Sequence, residues 1–135
     1  MLNRLTPVLA GCAAGIAVIF LMEFVSHAIY PLPEGLDPNN PEHLKLIMTN
    51  APIGALVLVL VAGFLGGFAG GIVASIFDKS NKTKRAIAVG IVLTILGIIN
   101  LFMIPHPIWF MIVNVLVYIS GAYLGSLLIK PKKHA

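Results

Sequence analysis

Charge is the scarcest property of this sequence. Nine Lys and Arg residues and five Asp and Glu residues make up 10% of the 135 residues, whereas soluble domains carry roughly 25% charged residues. Apolar residues make up 59%, and the mean hydropathy is +0.99. So few charged side chains could not cover the exterior of a soluble fold of this size. The composition therefore excludes a water-soluble globular domain and predicts a membrane-embedded chain.

Two further absences narrow the class of protein. Cys12 is the single cysteine, so no intramolecular disulfide can form. Segments of about ten residues with alternating polarity, which a membrane-spanning barrel needs, are missing from the sequence. Helices are the remaining way to satisfy the backbone polar groups in lipid. The sequence thus predicts an all-α integral membrane protein.

Four long apolar runs separate the clusters of charge, and each is long enough to cross a bilayer of about 30 Å. We predict four transmembrane helices in a compact bundle that forms a single membrane domain over residues 1–135. Within the loop 31–51, Asn40-Pro41-Glu42 has the pattern of a helix start, which predicts a short amphipathic helix at about 41–50. The four long helices are predicted at about 5–30, 52–77, 85–105 and 107–129.

The basic residues predict the orientation of the chain. Eight of the nine fall on one side of the predicted spans, and Lys45, in the loop 31–51, is the exception. Because Lys and Arg near span ends are held in the cytoplasm, both termini are predicted to be cytoplasmic, in the inner membrane. The pI near 9.5 then reflects topology and contact with anionic lipid, so nucleic acid is not a predicted partner. The eight residues are Arg4, Lys79, Lys82, Lys84, Arg85, Lys130, Lys132 and Lys133.

Small residues recur at helical spacing. In lipid, helices associate through close backbone contact, which small residues permit, so tight helix packing is predicted. A glycine-lined path or a flexible hinge is the alternative. In the first helix, Gly11 and Gly15 show the same four-residue spacing as Gly121 and Gly125 in the fourth. The glycines predicted to pack helices are Gly63, Gly66, Gly67, Gly70, Gly71, Gly121 and Gly125.

The chain can also be interpreted as two related helical hairpins. Aligning Pro52 with Pro107 places Gly66 on Gly121. With an even number of spans in each half, the two hairpins would have the same orientation in the membrane.

Polar residues within the apolar runs fall in one layer. At 1.5 Å per residue, Glu23, Asn100 and Asn114 lie roughly 6 to 10 Å outward from the bilayer centre, on three helices. Such groups are costly in lipid and normally point into the bundle or towards a partner. His27 lies one turn beyond Glu23, and His106 lies in a Pro-His-Pro turn at a similar height. The predicted polar intramembrane site comprises Glu23, His27, Asn100, His106, Asn114 and Tyr118.

Three interpretations of this site stay open. Glu23, His27 and His106 could hold a divalent metal such as zinc. A carboxylate beside a histidine could instead hold and pass a proton. The structural interpretation is that these side chains hydrogen-bond across helices and fix the bundle register. Haem is not favoured, because His106 lies in a turn rather than within a span.

Signatures of catalysis are missing. The sequence has no phosphate-binding glycine loop, no nucleophile elbow, no paired cysteines and no HExxH motif. A non-catalytic protein is therefore predicted, and a membrane transferase using Glu23 and His27 as acid and base is the catalytic alternative. Residues 9–12 resemble a lipoprotein acylation motif, but the apolar flanks favour Cys12 as a small residue on a helix face. Trp109 and Phe110 are predicted to lie in the interfacial aromatic belt.

Two functions from different classes follow. The first is a small polytopic inner-membrane protein that acts by helix–helix association, as a homo-oligomer or as an accessory subunit of a membrane complex. Its partners would be the lipid bilayer and either copies of itself or other membrane subunits. The second is a small metal- or proton-coupled transporter with an outer-leaflet polar site around Glu23 and His27. Four helices leave little room for a pathway, so this transporter would also need an oligomer.

Overall fold

The computed structural model describes residues 2–133 and contains, within that range, five α-helices and no strand. The four long helices begin and end within three residues of their predicted limits. Each is long and apolar enough to cross a membrane. The prediction of an all-helical chain with four candidate membrane spans packed together is therefore confirmed. The helices are α1 (Leu2–Ile29), α2 (Pro41–Thr49), α3 (Ile53–Phe77), α4 (Lys82–Met103) and α5 (Ile108–Leu127).

Prolines set the helix boundaries at one end of the bundle. Pro52 and Pro107 stand immediately before α3 and α5, and proline is well tolerated where a helix begins. The α2 helix begins at Pro41, after Asn40, whose side-chain oxygen accepts a hydrogen bond from the Glu42 amide at 3.0 Å. We call this end, with the segments 30–52 and 104–107, the proline end. The opposite end, with the segment 78–81 and both termini of the bundle, is the basic end.

The α3 helix occupies the centre of the bundle. It packs against α1, α4 and α5, and α5 also packs against α4. The α1 helix lies mainly on α3 and touches α4 less extensively. In α2, Met48 packs against a buried cluster that contains Leu56 and Phe110. The short helix thus lies over the proline end of the bundle.

Glycines bring the backbones of α1 and α3 into contact. A Cβ atom added at Gly11 would lie 2.6 Å from the carbonyl oxygen of Gly70, and one added at Gly70 would lie 2.7 Å from that of Gly11. Gly15 and Gly66 face each other in the same way, with corresponding distances of 2.8 and 2.9 Å. Because an added methyl group has no room at these positions, the two helices approach as closely as their backbones allow.

A second glycine face of α3 packs against α5. Glycines on each helix lie against backbone carbonyl oxygens of the other, and the facing pairs are Gly67 with Tyr118, Gly71 with Ala122, Gly121 with Phe64, and Gly125 with Phe68. Gly63 lies against the ring of Tyr118. The glycines singled out in the sequence therefore contact neighbouring helices of the same chain.

A lysine closes the basic end. The ammonium group of Lys82, at the start of α4, donates hydrogen bonds to the carbonyl oxygens of Ser126 at 3.0 Å and Ile129 at 2.7 Å. Ser126 lies in the last turn of α5 and Ile129 lies just beyond it, and a positive charge is favourable at this end of a helix. Beside them, Arg85 Nε pairs with the Asp78 carboxylate at 2.8 Å. This hydrogen bond holds the pKa of Asp78 below its usual value.

Candidate ligand cavity

A cavity of about 320 Å³ lies between the four long helices, in the half towards the proline end. Its polar lining comes from three helices: Glu23 from α1, Asn100 from α4, and Asn114 and Tyr118 from α5. Four of the six predicted polar site residues thus surround one space. The other lining residues are Ile16, Ile19, Phe20, Val59, Leu93, Leu96, Gly97 and Phe110. We call this space the inner cavity.

The inner cavity begins where the close glycine contacts between α1 and α3 end. The close approach of α1 to α3 ends where the side chain of Ile19 lies against Gly66. On α4, Gly97 leaves room for the ring of Tyr118, since an added Cβ there would lie 2.7 Å from its Cε2 atom. Beyond this level, larger side chains such as Ile19, Phe20 and Leu93 surround a space between the helices.

Two of the polar lining residues are well buried. Asn114 is 3% exposed and Tyr118 is 8% exposed. The Tyr118 hydroxyl donates to Asn114 Oδ1 over a long 3.5 Å. Within residues 2–133, the Glu23 carboxylate has no hydrogen bond and no ion pair. The interhelical hydrogen bonds expected among Glu23, Asn100 and Asn114 are therefore not seen.

The inner cavity opens sideways between α1 and α4. The lining residues on that side are exposed: Phe20 of α1 at 65%, Leu96 of α4 at 46%, and Asn100. On the opposite wall Phe110 is only 1% exposed. In a membrane the opening would face lipid, since α1 and α4 are candidate membrane spans.

The two histidines of the predicted site lie elsewhere. His27 Nδ1 is 3.1 Å from the backbone oxygen of Glu23 and does not line the inner cavity. His106 lies outside the helices, donates from Nδ1 to the Ile104 oxygen at 2.7 Å and stacks on Phe110 at 4.6 Å. Burial lowers the pKa of His106, and the bond to Ile104 partly offsets this. Among the residues described, no three His, Cys, Asp or Glu side chains are grouped to hold a metal, so the expected convergence of Glu23, His27 and His106 is not seen.

A second space, the outer cavity, lies closer to the proline end. It measures about 400 Å³ and is bounded by the last turn of α1, the following loop, α2 and the start of α3. His27 lines it from α1, Tyr30 from the loop directly after α1, and Ile47 and Met48 from α2. Val59 of α3 lines both cavities. The two spaces are therefore neighbours, separated at Val59.

The apolar walls of both cavities carry no signal in the sequence. Phe20 and Val59 are ordinary residues of an apolar helix, and only the rotation of each helix puts them at a cavity. Phe110 was expected in the interfacial aromatic belt, but it is 1% exposed and belongs to the buried core. Cys12 packs against a buried cluster of α3, α4 and α5 side chains, as a small residue within a helix face does.

The inner cavity presents a particular chemistry. It combines one carboxylate, two amides, a phenol and aromatic rings in an otherwise apolar space. Sites for divalent metal ions usually group several His, Cys, Asp or Glu ligands, whereas Glu23 is the one such residue in the lining of this cavity. A monovalent organic cation suits it better, because aromatic faces and amide oxygens also attract an ammonium group. Comparisons with protein-family models, curated proteins and solved structures find no match for this chain.

Proposed function

We propose that this protein binds a small organic ammonium ion at Glu23, in exchange for a proton, and works as a small proton-coupled transporter. The observation that carries the proposal is the Glu23 carboxylate, which lines a mostly apolar cavity and forms no ion pair with any Lys, Arg or His of residues 2–133. An ionised carboxylate at such a depth is costly unless a positive charge compensates it.

Two species can compensate the Glu23 charge, and they exclude each other. A proton neutralises the carboxylate directly, and an ammonium ion pairs with it. A bound ammonium ion would also find the Asn100 and Asn114 side-chain oxygens and the rings of Phe20 and Phe110 on the cavity wall. Binding of the cation then releases the proton from Glu23, which is the coupling that such a transporter needs.

The charge distribution supports an orientation for this transporter. The basic end would face the cytoplasm, with both termini there, and the inner cavity would lie in the outer half of the inner membrane. The opening between α1 and α4 then suits amines that partition into lipid. Two same-orientation hairpins, α1 with α3 and α4 with α5, remain compatible with this arrangement.

Association with other chains stays a prediction beside this proposal. The glycine faces that motivated it contact helices of the same chain, so they supply no surface for a partner. The lateral opening does give a reason for an oligomer, because a neighbouring chain across α1 and α4 would close the pathway from lipid.

The test is binding of ethylammonium to the purified protein in lipid nanodiscs, measured by calorimetry in two buffers of different protonation enthalpy. We expect binding that releases a proton and that weakens at least about ten-fold in Glu23→Gln, in line with the loss of a charge pair of roughly 1.4 kcal/mol or more. Glu34→Gln, in the exposed loop, is the matched control and should bind like the parent. Equal binding by Glu23→Gln, or no binding by the parent, would reject the proposal.

A further inference from the structure

The two cavities lie in series along one side of α1. At one end of this stretch the Ile19 side chain lies against Gly66, and at the other end the side chain of Tyr30, the residue after α1, lies against Gly54. At 1.5 Å per residue these two levels are roughly 16 Å apart. Glu23 lines the cavity nearer the first contact, and His27 and Tyr30 line the one nearer the second.

The two cavities differ in charge. The inner cavity contains the Glu23 carboxylate beside two amides and a phenol. The outer cavity has no Asp, Glu, Lys or Arg in its lining, and its polar residues Ser26, His27, Tyr30 and Asn50 stand beside a larger apolar wall that includes Leu32, Ile47, Met48, Ala55 and Leu56. A space with a carboxylate and a mostly apolar space without one, which meet at Val59, match a molecule with a cationic head and an apolar tail.

We infer that the ligand of Glu23 is an amphiphilic amine, whose ammonium group lies in the inner cavity and whose alkyl tail passes Val59 into the outer cavity. The inference rests on the proposed function and adds the shape of the substrate to it. Met48 and Ile47 of α2 would form the cover over the tail, and the flexible methionine can adapt to its length. Each methylene group removed from water strengthens binding by about four-fold.

The experiment compares ethylammonium with octylammonium in nanodiscs of one lipid composition. Ala55→Phe and Ala51→Phe each fill part of the outer cavity, and Val57→Phe adds the same ring on the exposed face of α3 as a control. Since the lipid is the same throughout, partition of octylammonium into the bilayer cancels between variants.

We expect the parent and Val57→Phe to bind octylammonium at least about ten-fold more tightly than ethylammonium. This preference should fall to about two-fold or less in Ala55→Phe and Ala51→Phe, which should bind ethylammonium as the parent does, because neither residue lines the inner cavity. Retained ethylammonium binding also reports that each variant is folded. If Ala55→Phe unfolds, Ala55→Leu fills the cavity with a smaller side chain.

Other outcomes overturn the inference in distinguishable ways. An unchanged preference in both cavity variants would mean that the tail leaves through the opening between α1 and α4. No preference in the parent, with ethylammonium binding still dependent on Glu23, would reject the tail site and leave the proposed function standing. Absence of ethylammonium binding by the parent would reject both. Loss of ethylammonium binding in a folded Ala55→Phe protein would place the ammonium group in the outer cavity instead.

Discussion

The half of the bundle towards the basic end and the half towards the proline end pack in different ways. In the basic half, glycines such as Gly11 and Gly70 bring helix backbones together without intervening side chains. In the proline half, the same helices are held apart and two cavities lie between them. The difference follows from residue size, because backbone contact needs glycine, and Ile19 is the first residue of α1 that breaks it.

The comparison shows how a chain of this size combines rigidity with binding space. Packing between membrane helices relies on contact area rather than on a hydrophobic driving force. Concentrating the closest contacts in one half allows the other half to keep a space around Glu23 and Asn114. The same helices therefore anchor the fold at one end and form a site at the other.

The largest expected effect is on the free energy of unfolding, and it should differ between the two halves of the bundle. Gly70→Ala should lower the free energy of unfolding by about 2 kcal/mol, because the new methyl group meets the Gly11 carbonyl oxygen, which cannot move away. Gly97→Ala should cost less than about 1 kcal/mol, because its neighbours are the Tyr118 and Asn114 side chains, which can shift into the cavity. Thermal unfolding in detergent measures both changes.

The same pair of variants bears on association between chains. A Gly70→Ala protein that keeps the parent's unfolding temperature but loses a higher oligomer on size-exclusion chromatography would show that the glycine contacts are made between chains. Equal losses in Gly70→Ala and Gly97→Ala would instead remove the distinction between the two halves.

A smaller effect sharpens the comparison at the basic end. Lys82→Met removes both hydrogen bonds to the end of α5 while keeping the apolar stem, and should cost about 1.5 kcal/mol. The control is Lys84→Met, which lies two residues further along α4 and is exposed. It should change the free energy of unfolding by less than about 0.5 kcal/mol. Equal unfolding temperatures for the two variants would mean that the lysine does not hold the basic end together.

The smallest effect concerns pH at the proline end. Burial lowers the pKa of His106, so the unfolded chain takes up a proton at a higher pH than the folded chain does. The contribution of His106 to stability is therefore complete above the ordinary histidine pKa near 6.5 and is lost as the pH falls from there to the folded pKa. Unfolding temperatures measured between about pH 7.5 and pH 5 should fall less in His106→Gln than in the parent.

An identical pH profile for His106→Gln would show that this residue does not contribute. His43→Gln is the matched control, since His43 lies in α2 and accepts a hydrogen bond from the Asp37 amide at 3.0 Å. When His43→Gln is introduced into both proteins, the difference in pH profile between the parent and His106→Gln should stay the same.

Much of the architecture could be predicted, because length and charge act locally. A run of about twenty apolar residues requires a span, and Asn40 and Pro41 start α2 as their local chemistry requires. The depth of a residue also follows from its position along a helix, at 1.5 Å per residue. This is why Glu23, Asn100 and Asn114, predicted to lie in one layer, line the same cavity.

The rotation of each helix could not be predicted in the same way. Glu23 and Phe24 are adjacent, yet Glu23 lines the inner cavity whereas Phe24 lines neither cavity and is 76% exposed. Phe110 is adjacent to Trp109, but it is buried in the core whereas Trp109 is 42% exposed. In an apolar helix every face resembles every other, so periodicity does not indicate which face meets a neighbour.

By itself, the sequence determined that this chain forms four apolar helices with a short fifth helix, because hydrophobic length and local capping need no knowledge of neighbours. The tertiary structure alone decided that the glycines are used within one chain and that Glu23 lines a mostly apolar cavity. Both depend on how far apart the helix axes stand and how each helix is rotated, and these are set by contacts between residues distant in the sequence.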